Sequence, residues 1–198
     1  SLQLVIERGV LSLSGEGWLC GDPAALAAVL AEGSAVERRV AALNRDLQWV
    51  LLLLAVAGAP IRRADLDPLA ARAVEAVDRD VSALEQRGFL TRYGELLAPA
   101  HDSIAEAALA GALPEALRAA NLAIGHALAR DTASDPDLAT RAARHLAAAG
   151  DTADLGRVLA LAVRQARRRG DRRPLRVLVA HVLGRANAGT VGGALRLL

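Results

Sequence analysis

His101 and Asp102, in "LLAPAHDSIAEAAL" at 96–109, set an imidazole and a carboxylate side by side between an apolar stretch and a helix. An imidazole can donate to a phosphate oxygen and its charge is tunable near neutral pH, so the pair is a candidate for sensing a phosphate-bearing ligand. The same residues have a structural reading. Ser103 and Glu106 form a Ser-x-x-Glu capping box, and Asp102 just ahead of it is favoured by the helix dipole. A second charged feature is "RQARRRGDRRPLR", where Arg164, Arg167, Arg168, Arg169, Arg172, Arg173 and Arg176 form a candidate patch for an acidic partner or nucleic acid. Cations at a helix C-terminus complement its dipole, which gives Arg167, Arg168 and Arg169 an ordinary stabilising role. No aromatic residues lie among these arginines to stack on bases.

Other chemistry is excluded by residue type. All 24 Lys and Arg residues are Arg, which removes a Walker A P-loop, a Schiff base and a Ser-Lys dyad. The single cysteine, Cys20, allows neither an internal disulfide nor a cysteine-based zinc site. His126, His145 and His181 each stand alone on Ala/Leu-rich stretches, without HExxH or carboxylate-rich spacing, and no serine sits in a G-x-S-x-G elbow. The expectation is therefore no catalytic residue, no metal site and no cofactor held by this chain.

The elements that must position these residues are read as helices. Of the 198 residues 53% are apolar, mostly Ala, Leu and Val, and only 2% are aromatic; Ala and Leu suit helices, whereas sheets favour β-branched and aromatic residues. The longest apolar run, Trp49 to Ala57, is too short to span a bilayer, and a cytoplasmic setting is expected. The chain lacks Met and opens "SLQLVIERGV", so it reads as a segment of a longer protein. Two short runs around Ser14–Gly17 suggest a hairpin, followed by a short helix capped by Asp22 with Pro23 at its first position. Ser34-x-x-Glu37 is a capping box for a helix reaching Ala57, buried nearly all round and ended by Gly58 and Pro60. "ADLDPLA" and then "ARAVEAVDRDVSALEQRG", with Val74, Val77, Val81 and Leu84 on one face and Gly88 as its stop, give two more helices, and "FLTRYGELLAPA" reads as a hairpin.

Helix, helix, helix, hairpin is the order of a winged-helix domain. Downstream, "PEALRAANLAIGHALAR", "PDLATRAARHLAAAGD", "TADLGRVLALAVRQARRRGD" and "RRPLRVLVAHVLGRA" read as helices joined by Gly-Asp turns at 150–151 and 170–171, an α-solenoid-like array of helical hairpins. The expected fold is mainly α, in three parts: 1–33 as the tail of an upstream domain, 34–110 as the winged helix, and 111–198 as the helical-repeat (TPR-like) region.

The phrases "RRVAALNRDLQWVLLLLAVAGAPI", "VSALEQRGFLTR", "APAHDSIAEAAL" and "ATRAARHLAAAGDTADLGRVLALAVRQARRRGD", in this order, resemble the region after the nucleotide-binding domain in bacterial STAND-type signalling ATPases and large ATP-binding LuxR-type regulators. Asn121 departs from that pattern, which often has His there. The resemblance implies a regulatory, non-enzymatic segment that relays nucleotide state from an upstream nucleotide-binding domain, with ATP or ADP bound by the full-length protein. It implies an inducer or protein partner on the helical repeats, and a diphosphate-sensing role for His101. The alternative is a free-standing winged-helix DNA-binding protein with a helical dimerisation arm. Against it, the expected recognition helix at 72–87 carries Glu75, Asp78, Asp80 and Glu85 beside Arg72, Arg79 and Arg87, a poor surface for phosphates.

Overall fold

A computed structural model of the chain describes residues 10–15, 17–130 and 136–169. A hairpin of β1 (Leu11–Ser14) and β2 (Gly17–Cys20) leads to α1 (Pro23–Ala41). Asp22 caps α1 as expected, its carboxylate accepting from the Ala24 and Ala25 amides at 2.8 and 3.1 Å. The helix is not short, however. It runs unbroken through Gly33 and Ser34, across the expected 33/34 boundary, so Ser34 and Glu37 form no helix start. A glycine inside a helix costs only about 1 kcal/mol, and the Ala-rich turns on its N-terminal side continue through it.

The break falls instead at Ala42–Asn44. Asn44 is extended and its side-chain oxygen accepts from Leu47 N at 2.9 Å, starting α2 (Arg45–Ala57). Leu47 and Val50 to Ala55 are all buried, as the continuous apolar run predicts, and Gly58 at φ 62° ends the helix in the left-handed region. Around α2 lie β3 (Ile61–Arg62), α3 (Arg63–Ala70), α4 (Val74–Gln86), β4 (Leu90–Tyr93) and β5 (Leu96–Pro99). The three strands form an antiparallel sheet in the order β3-β5-β4, with Ile61 opposite Leu97 and Arg92 opposite Leu97 on the other side. Helix–strand–helix–helix–strand–strand, with the first strand pairing the last, is the winged-helix arrangement, in which α4 holds the recognition-helix position and β4–β5 the wing. Strand β3 was not legible, because two residues carry no alternation. Val77, Val81 and Leu84 are fully buried, but Val74, expected on that face, is 51% exposed at the first turn of α4.

Beyond the wing come α5 (Asp102–Ala110), α6 (Pro114–Arg130), α7 (Pro136–Ala149) and α8 (Thr152–Arg169). Helix α6 serves two cores. Ala120 and Ile124 belong to the core of α2, α4 and the sheet, whereas Ala129 at its end joins Ala139, Ala142, Leu146, Val158 and Leu159 of α7 and α8. Gly150 at φ 71° closes α7 and Asp151 caps α8, accepting from the Ala153 and Asp154 amides at 3.2 Å each, so the first Gly-Asp turn is as expected. The second, at 170–171, and the expected helix "RRPLRVLVAHVLGRA" with His181 lie outside the described residues. The protein is thus mainly helical with one small three-stranded sheet and an N-terminal hairpin, and among the described residues no helix is long and apolar enough to cross a membrane.

Candidate functional site

His101 lies where β5 hands over to α5. The Ala100 amide donates to Phe89 O at 3.1 Å, which extends the hairpin ladder to residue 100. Only His101 is left extended (φ −149°, ψ 154°), and the helix begins at Asp102. His101 therefore occupies the N-cap position that Ser103 was expected to hold, and its side chain makes no capping hydrogen bond. Its carbonyl accepts from Ile104 N at 3.0 Å, while Asp102 supplies the negative charge in the first turn. Both side chains are exposed and make no hydrogen bond or ion pair among the described residues. The imidazole stands exposed at the junction of β5 and α5.

The surface a winged helix would lay on DNA has most of its charge committed. Arg72 spans two helices, pairing with Asp80 of α4 and reaching Asp46 of α2 at 3.1 Å. Arg63, at the start of α3, pairs with Asp67 and with Asp78 of α4. Arg92 of the wing binds Glu85 of α4 through two hydrogen bonds of 2.8 and 3.1 Å. Arg39 of α1 stacks 4.9 Å from the centre of the Phe89 ring and donates to Arg87 O at 3.0 Å. Of the recognition-helix arginines, Arg79 and Arg87 remain exposed without a carboxylate partner among the described residues, and Glu75 on the same helix is exposed too.

The arginine run begins on the last turns of α8. Arg164 and Arg168 are exposed there. The side chains of Arg167 and Arg169, and all of Arg172, Arg173 and Arg176, lie outside the described part of the structure.

Two arrangements were not found from the sequence. In the first, the His126 imidazole sits between Asp151 at 3.0 Å and Asp154 at 3.2 Å, a tie from α6 to the start of α8. The second oxygen of each carboxylate is held elsewhere, that of Asp151 by two backbone amides and that of Asp154 by Arg157 at 2.9 Å. Donation from His126, with help from the two amides, holds the Asp151 carboxyl below the usual carboxylate range. The three side chains are separated by up to 28 positions, which is why no local spacing announced them.

The second arrangement is a cavity of about 710 Å³ between the C-terminal end of α2 and the α6–α7 pair. One wall is backbone and small apolar side chains from Ala55 to Ala59; the other carries Arg118 and Asn121 of α6 with Arg141, Arg144 and His145 of α7. No carboxylate among the described residues lines it. Asn121 donates to Leu117 O at 2.8 Å, so its oxygen accepts from His145 Nδ1–H at 3.0 Å. Burial, and then the charges of Arg141 and Arg144, push the His145 imidazole down to about 4, so at neutral pH it is uncharged. A larger cavity of about 810 Å³, between α1, α2 and α5, is largely apolar and holds Glu37 together with Arg38 and Arg45.

Since the native state resists protonating His145, stability is fully present above the unfolded value of about 6.5 and declines as pH falls toward about 4. The decline is of order 2–3 kcal/mol. Urea midpoints at pH 7 and pH 4.5 should show it, and His145→Asn should flatten the slope; an unchanged slope in the variant would contradict the assignment.

No family model, curated protein or solved structure gives a significant match to this chain.

Proposed function

We propose that this chain is the regulatory and interaction segment of a STAND-type signalling ATPase or LuxR-like transcriptional regulator. In that role it relays nucleotide state from an upstream nucleotide-binding domain and binds an inducer or protein partner on its TPR-like helical array, in the cytoplasm. ATP or ADP belongs to the upstream domain, and the chain itself works by docking and transmitting, not by catalysis. The observation carrying this reading is the winged helix in which Arg63 at the start of α3, Arg72 just ahead of α4 and Arg92 on the wing are bound by carboxylates of the same domain. Affinity for DNA depends on neutralising phosphates with free cations, and such a surface is better suited to a protein neighbour. The free imidazole of His101 beside the wing supports a role in contacting a diphosphate held by that neighbour.

His101→Ala removes no hydrogen bond or ion pair among the described residues, so the fold should be retained. In the natural protein carrying the upstream domain, this change is expected to weaken ADP binding about tenfold and to raise basal signalling. Unchanged ADP affinity and basal activity would contradict the relay through His101. The alternative, a free-standing DNA-binding winged helix, draws on the same topology and on the exposed Arg79 and Arg87.

A further inference from the structure

We propose that the cavity between the end of α2 and the α6–α7 pair binds a small organic phosphate, its phosphate held by Arg118, Arg141 and Arg144 and its carbon skeleton lying on the Ala55–Ala59 wall. Three arginines line one space, and no carboxylate among the described residues lines it with them. Arg141 and Arg144 make no hydrogen bond or ion pair among the described residues, and Arg118 uses only Nε, which donates to Ala149 O at 2.9 Å. The carbonyl end of α2 offsets little of this charge, since a helix C-terminus is worth only about half a negative charge. Like charges gathered around a concavity repel one another and are satisfied by a multiply charged anion; guanidinium groups meet phosphate oxygens in bidentate pairs.

His145 adds selectivity. Its Nδ1–H is taken by Asn121, so the neutral ring offers Nε2 as an acceptor next to the arginines, suited to a ligand hydroxyl. The volume, about 710 Å³, falls in the range of small-molecule sites. A bound ligand would touch the end of the central winged-helix helix and both helices of the first helical pair, and so favour one arrangement of the two. The inference deepens the inducer-binding part of the proposed function and rests on that reading for its purpose, while the binding itself is measurable on the chain alone.

The test is calorimetric titration of the 198-residue chain in about 0.1 M chloride, with glucose 6-phosphate, inorganic phosphate and glucose as probes. Glucose 6-phosphate should bind saturably with Kd below about 1 mM, inorganic phosphate more weakly and glucose without measurable heat. Arg141→Ala/Arg144→Ala should weaken glucose 6-phosphate at least about tenfold, while Arg79→Ala, on the far helix, leaves it unchanged. Because the two arginines make no internal bonds, the double variant should melt within a few degrees of the parent, and the ligand should raise Tm in the parent alone. Absence of saturable binding by either phosphate, or equal binding by the double variant, would overturn the site. Inorganic phosphate binding as tightly as the sugar phosphate would overturn the organic-ligand assignment. A nucleotide response through His101 without any phosphate binding by the chain would sink this inference and leave the proposed function standing.

Discussion

Arg72→Ala is expected to destabilise the protein by about 3 kcal/mol, far more than loss of an ordinary surface ion pair at about 0–1 kcal/mol. Asp80 is the one buried charged residue in the described core, 8% exposed, and Arg72 is its partner. Removing the guanidinium leaves a carboxylate shielded from water without its counter-charge, and also cuts the tie from α4 to Asp46 at the start of α2. The sign reverses when both partners go: Arg72→Met with Asp80→Leu leaves no stranded charge and should recover most of the loss. Urea unfolding of the single and double variants measures this. A loss under about 0.5 kcal/mol for Arg72→Ala would show that Arg72 is not a structural residue and would return it to the pool of cations available for a ligand.

The second large effect is expected at Gly125, where α6 packs closely on Leu146 of α7. A Cβ built there would lie 2.9 Å from Cγ and Cδ2 of Leu146 and 3.2 Å from its backbone nitrogen. Elsewhere in a helix, Gly→Ala gains about 1 kcal/mol. Here the gain is opposed by a contact with a fully buried leucine and with backbone that cannot rotate away. Gly125→Ala should therefore be neutral to destabilising, and Gly125→Val, with two further methyl groups, should cost about 3 kcal/mol by forcing the helices apart. Leu146→Ala should relieve part of the Val clash, so the double variant should be less destabilised than the sum of the two singles. Thermal melts of all four variants test it; a stabilised Gly125→Ala would contradict the close approach.

Much of the fold was legible because it rests on local chemistry. The apolar run 47–57 gave the buried helix α2, and the glycines at 58, 88 and 150, all with positive φ, ended the helices they were expected to end. The failures come where tertiary contacts choose between competing local signals. Ser34 and Ser103 each offer a capping box, but α1 continues through the first, and the Ala100–Phe89 hydrogen bond fixes the chain so that α5 starts two residues earlier than a Ser103 cap requires. Asn44, followed by Asp46 in the first turn, carried a cap signal that the surrounding apolar pattern obscured.

The site was less legible than the fold. His101 stands where the hairpin meets a helix, as expected. Arg118 with Asn121, and Arg141 with Arg144 and His145, are each spaced to share a helix face. That half of the cavity could have been read from the sequence; which helices face one another could not. The His126–Asp151–Asp154 tie depends likewise on how α6 meets the α7–α8 turn.

The central claim, that this winged helix faces protein and not nucleic acid, is tested most directly by fluorescence anisotropy of labelled duplex DNA titrated with the chain and with its Arg79→Glu variant, across a salt series. Dissociation constants above about 10 µM at physiological salt and the same curve for both proteins are expected, any residual affinity belonging to the arginine run at 164–176. Sub-micromolar, salt-dependent binding that Arg79→Glu weakens about tenfold or more would contradict it.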